Sequence, residues 1–211
     1  MSKERYPDHF PDLPSVTTVL GAFPGPALIG WYKKMMYSDI KTISQKGLDI
    51  GKTLHELRIR IEKGEPFEIT TQYPEEVRTC LQSYFQWKKE RRIVKIFSSE
   101  FPMFSEKLGY CGTLDDLAEL ESGGFAILEY KTNKGIYDEH IEQVIAYKNL
   151  YETFTKLTIR ECWVIRFGKE KAEHEARLIS EADEKELFKS FMHKLAIYNI
   201  RKRREKEWLK K

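Results

Sequence analysis

Glu129 and Lys131, at the end of the apolar run 125–128, offer a carboxylate and an ammonium two positions apart. Side chains alternate along an extended chain, so these two share a face while Tyr130 points into the opposite layer. Gly112 and Asp115 precede them across the turn Ser122-Gly123-Gly124. If the two stretches pair as a hairpin, Asp115 reaches the same end and adds a second hard oxygen ligand. Two carboxylates beside a lysine suit Mg²⁺ or Mn²⁺ next to a phosphate. Each motif alone also reads as ordinary structure: Glu-x-Lys as a same-face surface ion pair, and Asp115 beside Asp116 as turn chemistry.

Two helical stretches bring further groups. Residues 138–154 open with acidic side chains and carry Ile141, Val144, Ile145, Tyr147, Tyr151 and Phe154 at helical spacing, which predicts a helix just after the Lys131 strand. On it Gln143 and Tyr147 present an amide and a phenol from one face. Tyr147 reads equally as core, with Gln143 its polar border. Residues 47–63 predict another helix, buried through Ile50, Leu54, Leu57 and Ile61. His55 falls off that stripe, on a face with Gly51 and Glu62, where the glycine leaves room to approach the imidazole. Such a histidine is either a metal ligand or a hydrogen-bonded surface residue.

The elements that must position these groups follow a mixed order. A helix over 74–90, with Val77, Cys80, Leu81 and Tyr84 inward, is followed by strands over 93–104, 110–121 and 124–132. After the 138–154 helix come a strand over 158–167, a turn at Gly168 into 171–179, and a terminal helix capped by Ser180 with Asp183. This order predicts one α/β domain. With 211 residues and 41% apolar content the chain can bury a full core. No apolar run has membrane length and residues 1–5 carry no signal-peptide pattern. No membrane association is therefore expected, and the expected location is cytoplasmic, compatible with a phage or prokaryotic source.

The net charge of +3 does not by itself identify a nucleic-acid binder. Basic residues cluster at Lys33-Lys34, Lys88-Lys89, Arg91-Arg92 and Arg201 to Arg204, near predicted helix ends, where they either complement helix dipoles or neutralise phosphates. Cys80, Cys111 and Cys162 lie far apart without C-x-x-C spacing, which predicts reduced, inert thiols. Gly47 to Thr53 approaches the phosphate-loop pattern G-x-x-x-x-G-K-[ST], but its first glycine is one residue too close and it falls inside a helical pattern. No ATP binding is expected from it.

Taken in order, His55, Gly112-x-x-Asp115, Glu129-x-Lys131 and Gln143-x-x-x-Tyr147 resemble the RecB-like exonuclease branch of the PD-(D/E)XK nuclease superfamily. Gly109 to Asp115 is similar to the family's Asp strand, and Leu54-His55-Glu56 to the helical His element of its exonucleases. Ser15 to Thr18, with Pro24, Trp31 and Tyr32, is similar to its N-terminal lead-in. The resemblance covers about residues 14–168. It implies a single nuclease domain over 1–211: a helical cap with the His element over 1–64, a restriction-endonuclease-like core with a mixed central sheet flanked by helices over 74–179, and a C-terminal basic helix over 180–211. Some relatives hold an iron-sulfur cluster through four cysteines, but with only three here no such cluster is expected.

The implied reaction is metal-dependent hydrolysis of DNA phosphodiester bonds. Asp115, Glu129 and the backbone carbonyl of Tyr130 would hold Mg²⁺ or Mn²⁺, His55 would complete the sphere and favour Mn²⁺, and Glu100 would stand just outside it. Lys131, flanked by carboxylates, is expected to act electrostatically rather than as a base, with Gln143 and Tyr147 positioning it. The expected substrate is linear or single-stranded DNA with free ends, met in recombination, repair or replication, with unwinding left to a helicase or recombination partner. Trp31 and Tyr32, with Phe23, would stack on bases, and Lys33 and Lys34 would meet phosphates. The alternatives are a structure-specific or single-strand endonuclease of the same fold, and a non-catalytic DNA-binding module.

Overall fold

The computed structural model describes residues 12–35 and 37–209. Four helices come first: α1 (Val16–Gly21), α2 (Pro26–Lys34), α3 (Tyr37–Glu62) and α4 (Glu75–Glu90). Strands β1 (Ile93–Ser105), β2 (Tyr110–Leu120) and β3 (Phe125–Lys131) follow, then α5 (Asp138–Thr155), β4 (Ile159–Phe167), β5 (His174–Leu178) and α6 (Glu181–Trp208). The five strands form one sheet in sequence order. β1, β2 and β3 pair antiparallel, β3 and β4 run parallel, and β5 returns antiparallel to β4. A parallel step requires a crossover, and α5 supplies it. The fold is thus α/β, a mixed sheet flanked by helices.

Both faces of the sheet are covered, which explains why β3 reads as a nearly continuous apolar run. On one face Val16, Leu114, Ile127, Val144, Leu150 and Phe191 join α1, α5 and α6 to the sheet. On the other, Leu54, Leu57, Leu81, Tyr84, Leu128 and Phe167 join α3 and α4. Consecutive residues Ile127 and Leu128 serve opposite cores because side chains alternate.

The helical stretch expected as a cap divides in the structure. Its residues 1–11 lie outside the described part. Both α1 and α3 belong to the packed layers, one on each face. The chain must therefore cross from one face to the other, and α2 makes that crossing while packing broadly against no other described element. The crossing passes the end of the sheet where Lys131 emerges: Gly25 lies against the Glu139 carboxylate in the first turn of α5, and Gly51 lies beside Thr132.

Two boundaries differ from expectation. α3 begins at Tyr37 rather than residue 47, because a helix anchored by Ile50, Leu54 and Leu57 extends N-terminally through polar residues until something stops it. β5 is shorter than 171–179, since residues around Gly168 and Lys171 turn back through the Gly168 N–H to Glu173 carbonyl bond. The expected cap of the last helix is present: Ser180 Oγ accepts from the Asp183 N–H. The stretch Gly47 to Thr53 lies inside α3 rather than in a phosphate-binding loop. No described helix is long and apolar enough to cross a membrane.

Candidate metal centre

β2 and β3 pair from Glu119–Phe125 to Asp116–Leu128 and then part. The next residues on each strand are Asp115 and Glu129. Asp115 Oδ2 accepts the Tyr130 backbone N–H at 2.8 Å, holding the strands together at the fork. In extended chain the N–H and C=O of one residue leave on the same side, so the Tyr130 carbonyl is directed toward this fork as well.

Both strands that meet Asp115 break regular geometry. Tyr110 and Leu114 face α5, whereas Ala118 and Leu120 face α3 and α4, so β2 changes face around Asp115. Opposite it on β1, between the pairs Ser99–Asp116 and Phe101–Leu114, stands Glu100 with φ of +50°. A left-handed non-glycine residue costs about 1–3 kcal/mol and persists only where its surroundings enforce it. The kink turns the Glu100 side chain toward α3, where its Oε1 lies 3.1 Å from His55 Nδ1.

His55 Nε2 lies 3.5 Å from Asp115 Oδ2. One ligand atom from each of His55, Glu100 and Asp115 can be chosen so that all lie within 4.8 Å of one another. Glu100, expected outside the coordination sphere, therefore stands with the ligand atoms, and the β1 kink is the reason. Glu129 is 3% exposed; its Oε1 accepts from Lys131 Nζ at 2.9 Å and from Gln143 Nε2 at 2.6 Å, and its Oε2 is buried with no hydrogen-bond partner. An orphaned buried oxygen costs about 1–3 kcal/mol, more when charged. A hard cation would offset that penalty, so the donor set of imidazole nitrogen, carboxylates and a backbone carbonyl fits Mg²⁺ or Mn²⁺.

The α5 side of the site is a clip around Lys131. Gln143 Oε1 accepts from Lys131 Nζ at 2.8 Å while its Nε2 reaches Glu129 and, at 3.2 Å, the Tyr147 hydroxyl. Gly112 makes this packing possible, because a Cβ there would lie 2.6 Å from Tyr147 Cε1. The first turn of α5 is closed by His140, whose Nδ1 accepts the Tyr137 N–H at 3.2 Å. Burial, then the Lys131 charge, hold His140 down at about 3 and keep it neutral.

Sequence reasoning missed a charged group beneath this site. Arg58, fully buried, pairs with fully buried Asp116, whose carboxylate also accepts from Ser99 Oγ at 2.6 Å and Tyr130 Oη at 2.9 Å. A signal existed: Arg58 is four residues after Leu54 and next to Leu57, squarely on the apolar stripe of its helix. Two expected basic clusters turn out to be partly committed internally, since Lys88 and Arg91 both pair with Glu62. On α2, Tyr32, Lys33 and Lys34 are exposed, and the Trp31 and Tyr32 rings lie 5.3 Å apart; none bonds to the metal cluster. The three cysteines are buried and form no disulfide, and burial pushes the Cys80 thiol up to about 12.

Glu129, Asp116 and His55 all have raised pKa values, whereas His140 is lowered. Burial and then the Asp115 charge push Glu129 up to about 7. Burial raises Asp116 to about 6 against the pull of Arg58. For His55, burial acts downward but Asp115 and the Glu100 bond outweigh it, so its pKa rises. A carboxyl with a raised folded pKa holds its proton where the unfolded chain has lost it, so stability falls as pH rises from the unfolded value to the folded one. A histidine with a raised pKa gives stability that is likewise lost as pH rises. Neutral His140 acts oppositely below its unfolded value, so in chelator the melting temperature should drop by a net of about 2 °C or more between pH 5.5 and pH 8. Saturating Mn²⁺ should flatten the trend, because the cation keeps Glu129 ionised in the folded state. Calorimetric melts showing a flat or rising profile in chelator would contradict this electrostatic account.

No protein-family model matches the chain, and no curated protein matches it.

Proposed function

We propose that this protein is a divalent-metal-dependent deoxyribonuclease with the restriction-endonuclease-like PD-(D/E)XK architecture, acting as an exonuclease on linear or single-stranded DNA ends. The observation that carries this reading is the fork of β2 and β3. There His55, Glu100 and Asp115 converge beside a buried Glu129 oxygen that lacks a partner, with Lys131 held alongside.

His55, Glu100, Asp115, Glu129 and the Tyr130 carbonyl are the groups that would hold the ion. A bound Mg²⁺ or Mn²⁺ supplies Lewis acidity toward phosphate oxygens and activates water at neutral pH. Lys131 gives two of its N–H donors to Glu129 and Gln143. An ammonium has three donors, so one remains for a phosphate oxygen or the attacking water. Gln143 is the clip that aims this donor, and Tyr147 fixes Gln143 in turn. Strand order and the β3–α5–β4 crossover are compatible with the proposed architecture.

Exonuclease action is supported by the path of α2. It links layers on opposite faces of the sheet and starts at Gly25, which lies against Glu139 of α5. A single strand would thread beneath this crossing, with Trp31 and Tyr32 available for base stacking and Lys33 and Lys34 for phosphates.

The reading is tested by incubating end-labelled linear single-stranded DNA with the protein in Mn²⁺ and in excess chelator; cleavage in chelator would end it. Within the site, His55→Ala is expected to weaken Mn²⁺ affinity about tenfold or more, and by a larger factor than Gln143→Ala. Gln143→Ala should chiefly slow turnover, since it releases Lys131 without removing a ligand. Titration calorimetry decides between them, and equal affinity for His55→Ala and wild type would remove His55 from the ligand set.

A further inference from the structure

Each residue of the buried charged group lies close in sequence to a candidate ligand. Asp116 follows Asp115, Tyr130 follows Glu129, Ser99 precedes Glu100, and Arg58 lies nearly one turn from His55 on α3. On the reverse side these four are bound to one another. Asp116 accepts from Arg58, from Tyr130 Oη at 2.9 Å and from Ser99 Oγ at 2.6 Å, and the Arg58 guanidinium lies 4.2 Å from the Tyr130 ring centroid. The four segments that bring ligands to the fork are thus tied together at a single point behind it.

A role in stability alone accounts poorly for this arrangement. Arg58 Nε and Nη2 are buried without hydrogen-bond partners, and replacing a buried ion pair by well-packed apolar side chains is often neutral or stabilising. Geometry offers a better reason. Neighbouring residues of a regular strand project to opposite faces, so a bond that fixes Tyr130 also fixes where Glu129 points, and a bond that fixes Asp116 pins the point where β2 changes face beside Asp115. Groups behind metal ligands set their orientation and commonly change metal affinity by about 10- to 100-fold.

We propose that Arg58, Asp116 and Tyr130 form a positioning device that holds His55, Glu100 and Asp115 at metal-binding separation, and orients Glu129 toward them, before the ion arrives. This rests on the metal-site reading above. The device gives the site a set size, and so a preference for small ions such as Mn²⁺ over the larger Ca²⁺.

The test compares wild type, Arg58→Met with Asp116→Leu, and Tyr130→Phe, which keeps the ring and the backbone carbonyl. Mn²⁺ and Ca²⁺ affinities are measured by titration calorimetry, with thermal melts alongside. The double variant is expected to fold, to bind Mn²⁺ about tenfold or more weakly, and to lose discrimination against Ca²⁺. Tyr130→Phe should lose about threefold in Mn²⁺ affinity, a smaller share of the same range. Unchanged Mn²⁺ affinity and Ca²⁺ discrimination in a folded double variant would overturn the proposal; if that variant does not fold, the same result in Tyr130→Phe would do so. Wild type that binds no Mn²⁺ would overturn the metal-site reading and the device together, whereas normal wild-type binding with unaltered variants removes only the device.

Discussion

Asp115→Asn and Lys131→Met proteins are expected to fold and yet to cleave linear DNA at least about a hundredfold to a thousandfold more slowly than wild type, the loss typical of removing one pre-organised electrostatic group. Asparagine is the informative replacement at Asp115. Its side-chain oxygen can still accept the Tyr130 N–H, whereas alanine would leave that buried donor unpaired at about 1–3 kcal/mol. Asn also removes the charge that pushes the Glu129 carboxyl upward, so the metal-free variant should be no less stable than wild type. For Lys131→Met the logic differs. Glu129 loses the cation that lowers its pKa, becomes protonated in the metal-free protein, and remains bonded to Gln143. Cleavage rates in saturating Mn²⁺, with circular dichroism melts of each variant, check both expectations. Undiminished cleavage by folded Asp115→Asn would refute the assignment of this site.

Closed circular single strands are expected to be cut at least about a hundredfold more slowly than linear strands of the same sequence. The cause is topological. α1 is packed on one face of the sheet and α3 on the other, so the covalent path through α2 spans the end where Lys131 lies. A strand without ends could not pass beneath an intact span. Deleting residues 1–37 is a poor probe, because it removes Val16, Val19 and Leu20 from the core. A protease site inserted after Lys34 is cleaner, since nicking there opens the span while α1 and α3 keep their packing. Nicked protein should accept circles, and Trp31→Ala with Tyr32→Ala should weaken linear-strand binding by roughly 1–3 kcal/mol per stacked base lost. Equal rates on circles and linear strands by intact protein would make the endonuclease alternative the better description.

The local parts of the site were legible without a fold. Alternation alone places Glu129 and Lys131 on one face, and helical spacing alone brings Gln143 and Tyr147 together, because both relations are set by backbone geometry over a few residues. Gly112 could be singled out as a glycine in the same stretch as Asp115, although its reason, the Tyr147 ring lying across it, appears only in the assembled structure. The basic pairs were legible as charge but not as function, since whether Lys88 and Arg91 face solvent or Glu62 depends on how α3 and α4 pack.

The sequence by itself thus determined which strand and helix faces carry the carboxylates, the lysine and the amide, together with the order of elements that makes a mixed sheet. Tertiary structure decided what those faces meet. Glu100 joins the ligand atoms only because the β1–β2 register sets it opposite Asp115 and a left-handed kink redirects it toward α3. Arg58 can remain charged in the core only because Asp116, 58 positions away, comes to it through the packing of α3 on the sheet. α2 links the two faces of the sheet only because its two neighbours dock on opposite sides. Each of these depends on contacts between residues distant in the chain, and local pattern carries no information about which distant surfaces will be brought together or in what register.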